Sequence, residues 1–211
     1  MTIKIDPQKI RVVAFDCDGV MFDTEETNRA YYNTILEQFG LPSMTEAQFR
    51  YVHMATVGEA LVHLFDGKVE MTEVRAATAA FDYASLIPHM KIEPNLITVL
   101  KALSPHCKRA IATNRANTMA TVLAFYELDD LFELVVTSQD VENAKPAPDQ
   151  LLKIMAHFDV SAEEILYIGD ASTDQHAAQA AGVPFVAFDN PDLKADGYIQ
   201  SLAEISTFLG L

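Results

Sequence analysis

Cysteine is scarce. Of 211 residues only Cys17 and Cys107 carry a thiol, with no CxxC pair and no Cys/His grouping, which excludes a disulfide framework and a zinc site of the usual spacing. Cys17 is flanked by Asp16 and Asp18, carboxylates that raise a thiol's pKa and so argue against a nucleophilic cysteine. Basic residues are also few. Fifteen Lys and Arg stand against 30 Asp and Glu, for a formal charge of -15, with no Lys/Arg run or stripe, so nucleic acid and an anionic membrane are not expected partners. No stretch reaches 18 uninterrupted apolar residues, and Met1-Thr2-Ile3-Lys4-Ile5-Asp6-Pro7 lacks the charged-then-apolar layout of a secretion signal. The cytoplasm is therefore the expected location. Internal repeats and low-complexity segments are missing as well. What is there is a chain that is 50% hydrophobic, able to bury one sizeable core and add a smaller satellite domain.

Apolar runs of strand length recur at 11–15, 109–113, 134–137, 165–168 and 185–188 with helical stretches between them, the alternation of a parallel sheet covered by helices on both faces. Pro94 opens a helix whose Leu96, Val99, Leu100 and Leu103 fall at i, i+3, i+4 and i+7. Gly182 and Pro184 close an Ala-rich segment starting near Asp174, for which Ser172 with Gln175 reads as a capping box. Further helices are expected over 148–157 and 202–209. Between the first strand and Pro94 the pattern changes to successive amphipathic helices. Tyr32, Ile35, Leu36 and Phe39 make one stripe, Thr45 with Gln48 marks the next start, and Leu61, Leu64 and Phe65 line a third. Val74, Ala77, Phe81 and Ala84 suggest a longer helix before Pro88. The expected fold is α/β: a Rossmann-like, doubly wound parallel sheet core from residues 1–22 and 91–211, with an inserted α-helical cap domain over 23–90 whose two connections act as hinges.

The chemistry concentrates at strand ends. In an open parallel sheet the ligand crevice lies outside the carboxyl ends of the strands. Asp16-Cys17-Asp18-Gly19 follows the first strand, Thr113-Asn114 the second, Lys145-Pro146 the third after a loop, and Gly169-Asp170-Ala171-Ser172-Thr173-Asp174 the fourth. Singly, each has a plain structural reading: Asp-Gly as a turn signal, Asp174 as a helix N-terminal acid, Thr113-Asn114 as a strand-end cap, Lys145 as a solvated loop lysine. Their ordered placement at successive strand ends is what gives the set meaning. Arg115 reads either as a surface arginine or as a contact for an anionic group of a substrate.

With those motifs the sequence resembles the haloacid dehalogenase superfamily of phosphotransferases, and within it the phosphatases with a helical cap after the first motif, similar to the phosphoglycolate phosphatase and β-phosphoglucomutase group. The resemblance implies Asp16 as nucleophile, Asp18 as general acid/base, and Mg²⁺ held by Asp16, the backbone carbonyl of Asp18, and Asp170. It makes Asp174 an outer acidic position supporting the metal or Lys145. Thr113, Asn114, Lys145 and Arg115 become the candidate contacts for a small phosphorylated metabolite. The physics agrees, because phosphoryl transfer is served by cations and donors aimed at the equatorial oxygens, here Mg²⁺, Lys145 and the Thr113 hydroxyl. A sugar-phosphate mutase would share the same core apparatus, and a receiver-like phospho-aspartate signalling module also gathers Asp, Thr and Lys around Mg²⁺. A dehalogenase lacks the partner acid two residues on. A phosphonate-cleaving enzyme would need a cap lysine, for which Lys68 is the sole candidate. A cleft-facing role falls to the 54–58 stretch. A monomer or weak homodimer is the expected assembly.

Overall fold

The computed structural model describes residues 5–211. Two compact units are present: one comprises the chain up to Asp23 together with Ile92–Leu211, the other Thr24–Lys91.

The first unit begins with β1 (Val12–Phe15), whose four residues are all buried, as a strand covered on both faces requires. After β1 the chain forms β2 (Phe22–Asp23) and then the second unit. That unit holds α1 (Glu25–Gln38), α2 (Glu46–Met54), α3 (Val57–Phe65) and α4 (Met71–Ala80). The chain returns at β3 (Lys91–Ile92), which forms a two-stranded sheet with β2. The remainder runs α5 (Leu96–Leu103), β4 (Lys108–Ala112), α6 (Met119–Phe125), β5 (Leu134–Val136), α7 (Asp149–Phe158), β6 (Ile165–Gly169), α8 (Ser172–Ala181), β7 (Phe185–Phe188), β8 (Gly197–Ile199) and α9 (Glu204–Leu209).

Six strands form one sheet in the order β5-β4-β1-β6-β7-β8, every pairing parallel. The chain winds from β1 outward through β4 to β5, then returns to β6 on the other side of β1. This reversal is the doubly wound topology, and it opens a crevice at the carboxyl ends of β4, β1 and β6. Strand alternation sends Val12, Ala14, Ala110, Ala112, Ile165 and Tyr167 to one face, where they form a buried cluster with Leu151 and Ile154 of α7 and Ala177 and Ala178 of α8. Val13, Phe15, Ile111, Leu166 and Ile168 alternate to the opposite face and are equally buried. The apolar stripe of α5 (Leu96, Val99, Leu100, Leu103) is fully buried, as its spacing predicts, and α5 packs on β4 and α9. Among the described residues no helix is long and apolar enough to cross a membrane.

The helical unit has its own core, with Tyr31, Tyr32, Ile35, Leu36, Phe49, Leu61, Leu64, Phe65 and Val74 buried together. The expected box at α2 is formed: Gln48 N–H donates to Thr45 Oγ1 (3.3 Å) and Thr45 N–H donates to Gln48 Oε1 (2.9 Å). Thr56 and Glu59 make the same pair for α3.

Three local expectations differ from the structure. The helix drawn through Phe81 and Ala84 stops at Ala80, because Asp82 accepts the Ala84 N–H and starts a separate 3₁₀ turn over Tyr83–Ser85. The Ser172/Gln175 box does not form. The helix takes Ala171 as N-cap, Asp174 accepts the Ala171 N–H at 3.0 Å, and Gln175 Oε1 accepts from Lys194 N–H. Finally, β8 extends the sheet by one short edge strand beyond the five runs read from the sequence.

Candidate active site

β4, β1 and β6 end side by side, and each hands its next residues to the crevice. Asp16 continues β1 by donating its N–H to Ile168 O (2.9 Å), and Thr113 continues β4 by donating to Val136 O (3.0 Å). Asp170 follows Gly169 at the end of β6. Asp16, Asp170 and Asp174 converge so closely that one carboxylate oxygen from each lies within 4.8 Å of the others.

Two glycines make that convergence sterically possible. At Gly19, with φ +89°, an added Cβ would overlap the Asp170 carboxylate, and at Gly169 one would overlap Asp174. Both positions therefore need a residue without a side chain, at Gly19 for the left-handed backbone as well.

Lys145 is the cation at the centre. It is almost completely buried, and its Nζ stands 2.8 Å from Asp16 Oδ1 and donates to Asp174 Oδ1 (2.6 Å) and to the Tyr167 hydroxyl (2.9 Å). The loop that delivers it is well tied. Asn114 Nδ2 donates to Lys145 O (3.0 Å), and Asn143 N–H donates to Asp149 Oδ2 at the start of α7. The carboxylate of Asp174 also bonds the Tyr167 hydroxyl (Oδ1, 2.7 Å) and accepts the Ala171 N–H on Oδ2. Both its oxygens are thus engaged within the protein, and Asp174 acts as the holder of Lys145. Asp170 differs: its Oδ1 is buried with no hydrogen-bond partner, while its backbone carbonyl is held by Asn190 Nδ2 (2.7 Å).

Thr113 is buried. Its carbonyl accepts from Gln150 Nε2 (2.6 Å), and its hydroxyl accepts the Arg115 N–H (3.1 Å). Arg115 is buried too, and its guanidinium lies on Asp18: Nη2 donates to Oδ1 at 2.5 Å and Nε to Oδ2 at 3.2 Å.

The electrostatics follow from crowding acids in a dry place. Burial pushes Asp16 up to about 7, Lys145 pulls it back, and Asp174 and Asp18 add to the rise. Asp170 is raised well above the usual carboxylate range, first by burial and then by Asp174 and Asp16. Burial alone would lower Lys145, but Asp16 and Asp174 outweigh it and raise the ammonium above its ordinary value. Burial also raises the Cys17 thiol, with Asp18 contributing, so this cysteine is inert. Four carboxylates (Asp16, Asp18, Asp170, Asp174) against two cations (Lys145, Arg115) leave an excess of two negative charges when all are ionised. A divalent cation balances that excess, and carboxylate oxygens suit a hard one.

Asp16, Asp18, Thr113, Asn114, Arg115, Lys145, Asp170 and Asp174 thus all lie in the first unit at the sheet's carboxyl edge, whereas residues 54–58 and Lys68 belong to the second unit. Tyr167 and Gln150 were not foreseen. Tyr167 sits inside an apolar strand run where it reads as core, and Gln150 on a helical face with nothing in its spacing to mark it. Lys68 donates to Leu64 O (2.8 Å) at the end of α3, an ordinary helix C-terminal bond.

Comparison with known proteins agrees with this geometry. The chain is 27% identical over 220 residues to a phosphoglycolate phosphatase of Photorhabdus laumondii, covering 93% of this chain and 92% of that protein. It is 27% identical over 198 residues to the pyrophosphatase PpaX of Bacillus cereus, covering 92% and 89%. Among solved structures, a hydrolase of the haloacid dehalogenase superfamily, subfamily IA, from Geobacter sulfurreducens superimposes with a TM-score of 0.79 at 38% identity, over 96% of this chain and 97% of that one. Residues 13–188 match the haloacid dehalogenase-like hydrolase family, and with Asp16, the buried Lys145 and Asp170 at the strand ends of a doubly wound sheet, the protein belongs to it as an enzyme of the hydrolase class.

Proposed function

We propose that this protein is a Mg²⁺-dependent phosphatase of a small phosphorylated metabolite, acting through an aspartyl-phosphate on Asp16. The observation that carries the reading is Lys145, buried 2.8 Å from Asp16 and 2.6 Å from Asp174 beside the unpartnered Oδ1 of Asp170. A buried cation facing a carboxylate nucleophile is what a dianionic phosphoryl group requires to approach it.

Asp16, Asp170 and the Asp18 carbonyl would hold the metal, which would offset the charge of phosphoryl oxygens that the carboxylates otherwise repel. Asp174 and Tyr167 fix the ammonium of Lys145, so that it meets the phosphoryl oxygens already oriented. The Thr113 hydroxyl and the Asn114 side chain, at the end of β4, are the further proposed contacts for the phosphoryl oxygens. In the first displacement an Asp16 oxygen bonds phosphorus as the ester P–O bond breaks, and Asp18 gives its proton to the departing oxygen. In the second, water attacks phosphorus, the Asp16–phosphorus bond breaks, and the water's proton passes to Asp18, which restores the enzyme. A positioned acid/base of this kind contributes about 10²- to 10⁴-fold.

The helical unit, Thr24–Lys91, is proposed as a cap that closes over bound substrate and selects its leaving group. Phosphoglycolate and pyrophosphate, the substrates in the names of the relatives, are the first to test, followed by sugar and nucleotide monophosphates. Release of inorganic phosphate from one of these, dependent on Mg²⁺ and abolished in Asp16→Asn with the fold intact, is the expected result. An isomer accumulating in place of free phosphate would make the protein a mutase. A phospho-aspartate that persists for seconds with no turnover would make it a signalling module.

A further inference from the structure

Arg115 is fixed along its whole length. Its N–H donates to Thr113 Oγ1 (3.1 Å), Nη1 donates to Thr118 Oγ1 (3.1 Å), and Nε and Nη2 take the two oxygens of Asp18. The arginine side chain is 5% exposed and that of Asp18 17%, so the pair is shielded from solvent. A guanidinium presents its donors in a rigid planar fork matching the two oxygens of a carboxylate. It therefore sets the plane of the Asp18 carboxyl as well as its distance, which a single ammonium or a water would not. The pair also joins the loop after β1 to the loop after β4, adjacent strands of the sheet.

We propose that Arg115 is the positioning residue for Asp18, setting the orientation of the carboxyl that transfers the proton in both displacements, and is not a contact for the substrate. This rests on the acid/base role proposed above for Asp18. That role is demanding. The same carboxyl delivers a proton to the departing oxygen as the ester P–O bond breaks, and receives one from water as the Asp16–phosphorus bond breaks. A carboxyl turning freely about two side-chain torsions spends only part of its time in the plane that serves both partners, and misplacement by about 1 Å is enough to cost about 10²-fold. Arg115, itself held by Thr113 and Thr118, removes that freedom before substrate arrives.

The test is a double-mutant cycle on the full chain with saturating Mg²⁺, comparing Arg115→Met, Asp18→Asn and the double variant on 2-phosphoglycolate and p-nitrophenyl phosphate. Arg115→Met is expected to lower kcat on phosphoglycolate by about 10²-fold, the order of a lost acid/base group, with little change in KM. With p-nitrophenyl phosphate, whose leaving group needs no proton, the initial burst of nitrophenolate stays near the wild-type rate, and acid-quenched phospho-enzyme accumulates because the second step is slowed. In the Asp18→Asn background the Arg115→Met change costs less than about threefold, since groups acting as one unit do not add. Arg115→Lys, which keeps the charge without the fork, carries the same cycle if the methionine variant fails to fold, as judged by circular dichroism and melting. A rise in KM at unchanged kcat, additive losses in the double variant, or faster turnover without Arg115 would overturn the proposal. Wild-type kcat in Asp18→Asn alone would instead remove the acid/base reading on which it stands.

Discussion

Gly19→Ala changes no functional group, yet it is expected to disable the site. An alanine Cβ there would stand 2.5 Å from the Asp170 carboxyl carbon, where ordinary contacts begin at 3.4 Å. The carboxyl must retreat by about 1 Å, and a shift of that size in a reacting constellation costs on the order of 10²-fold in turnover. The backbone contributes separately: φ is +89°, and a side chain in the left-handed region costs about 1–2 kcal/mol. Gly40 separates the two effects. It has φ +66° with nothing within 4 Å of an added Cβ, so Gly40→Ala bears the backbone cost without touching the site. The assay is Mg²⁺ titration of phosphatase activity beside thermal melts. Both variants should lose stability, Gly19→Ala the more because the overlap with Asp170 adds to the backbone cost, while Gly19→Ala alone loses turnover and requires more Mg²⁺. Gly19→Ala with wild-type Mg²⁺ dependence and rate would refute the claim that Asp170 must sit against this turn.

Tyr167→Phe removes a hydroxyl that contacts Lys145, Asp174 and the Ala112 carbonyl in a fully buried place. It should cost about 1–3 kcal/mol of stability and slow turnover by loosening Lys145; an unchanged melting temperature would contradict the network. The raised carboxyls predict a pH dependence of the metal-free protein. A group whose pKa is higher folded than unfolded stabilises the fold below its unfolded value and ceases to do so as pH rises through its folded value. Asp16, raised from 3.8 to about 7, thus withdraws at most about 4 kcal/mol between about pH 4 and pH 7, and Asp170 acts in the same direction. The thermal shift produced by Mg²⁺ should grow with pH across the same window, because the ligands bind the metal deprotonated; a shift that is flat from pH 5 to pH 8 would count against metal binding at these carboxylates.

The sheet and the site were legible in the sequence for one reason. A doubly wound fold aligns the ends of strands that are far apart in the chain, so motifs such as Asp16-x-Asp18 and Gly169-Asp170 can be placed in one crevice once their strands are recognised. The α5 stripe and the Thr45/Gln48 box were legible because period and capping chemistry are local. Other features depended on three-dimensional neighbours. Arg115 reads as surface or substrate contact until Asp18 is seen beside it, and Tyr167 reads as one more apolar strand residue until its hydroxyl meets Lys145. β2, β3 and β8, two or three residues each, carry too little pattern to register. The 3.6-residue period that points to a helix through Ala84 runs across Asp82, whose side chain accepts the Ala84 N–H and starts a new turn.

The central claim is that Asp16 becomes phosphorylated and is then discharged. Acid-quench mass spectrometry of the Mg²⁺-loaded Asp18→Asn variant with p-nitrophenyl phosphate tests it most directly. One phosphoryl group per chain is expected, on the peptide containing Asp16 and absent from Asp16→Asn; phosphate release at wild-type rate from Asp16→Asn would rule out this intermediate.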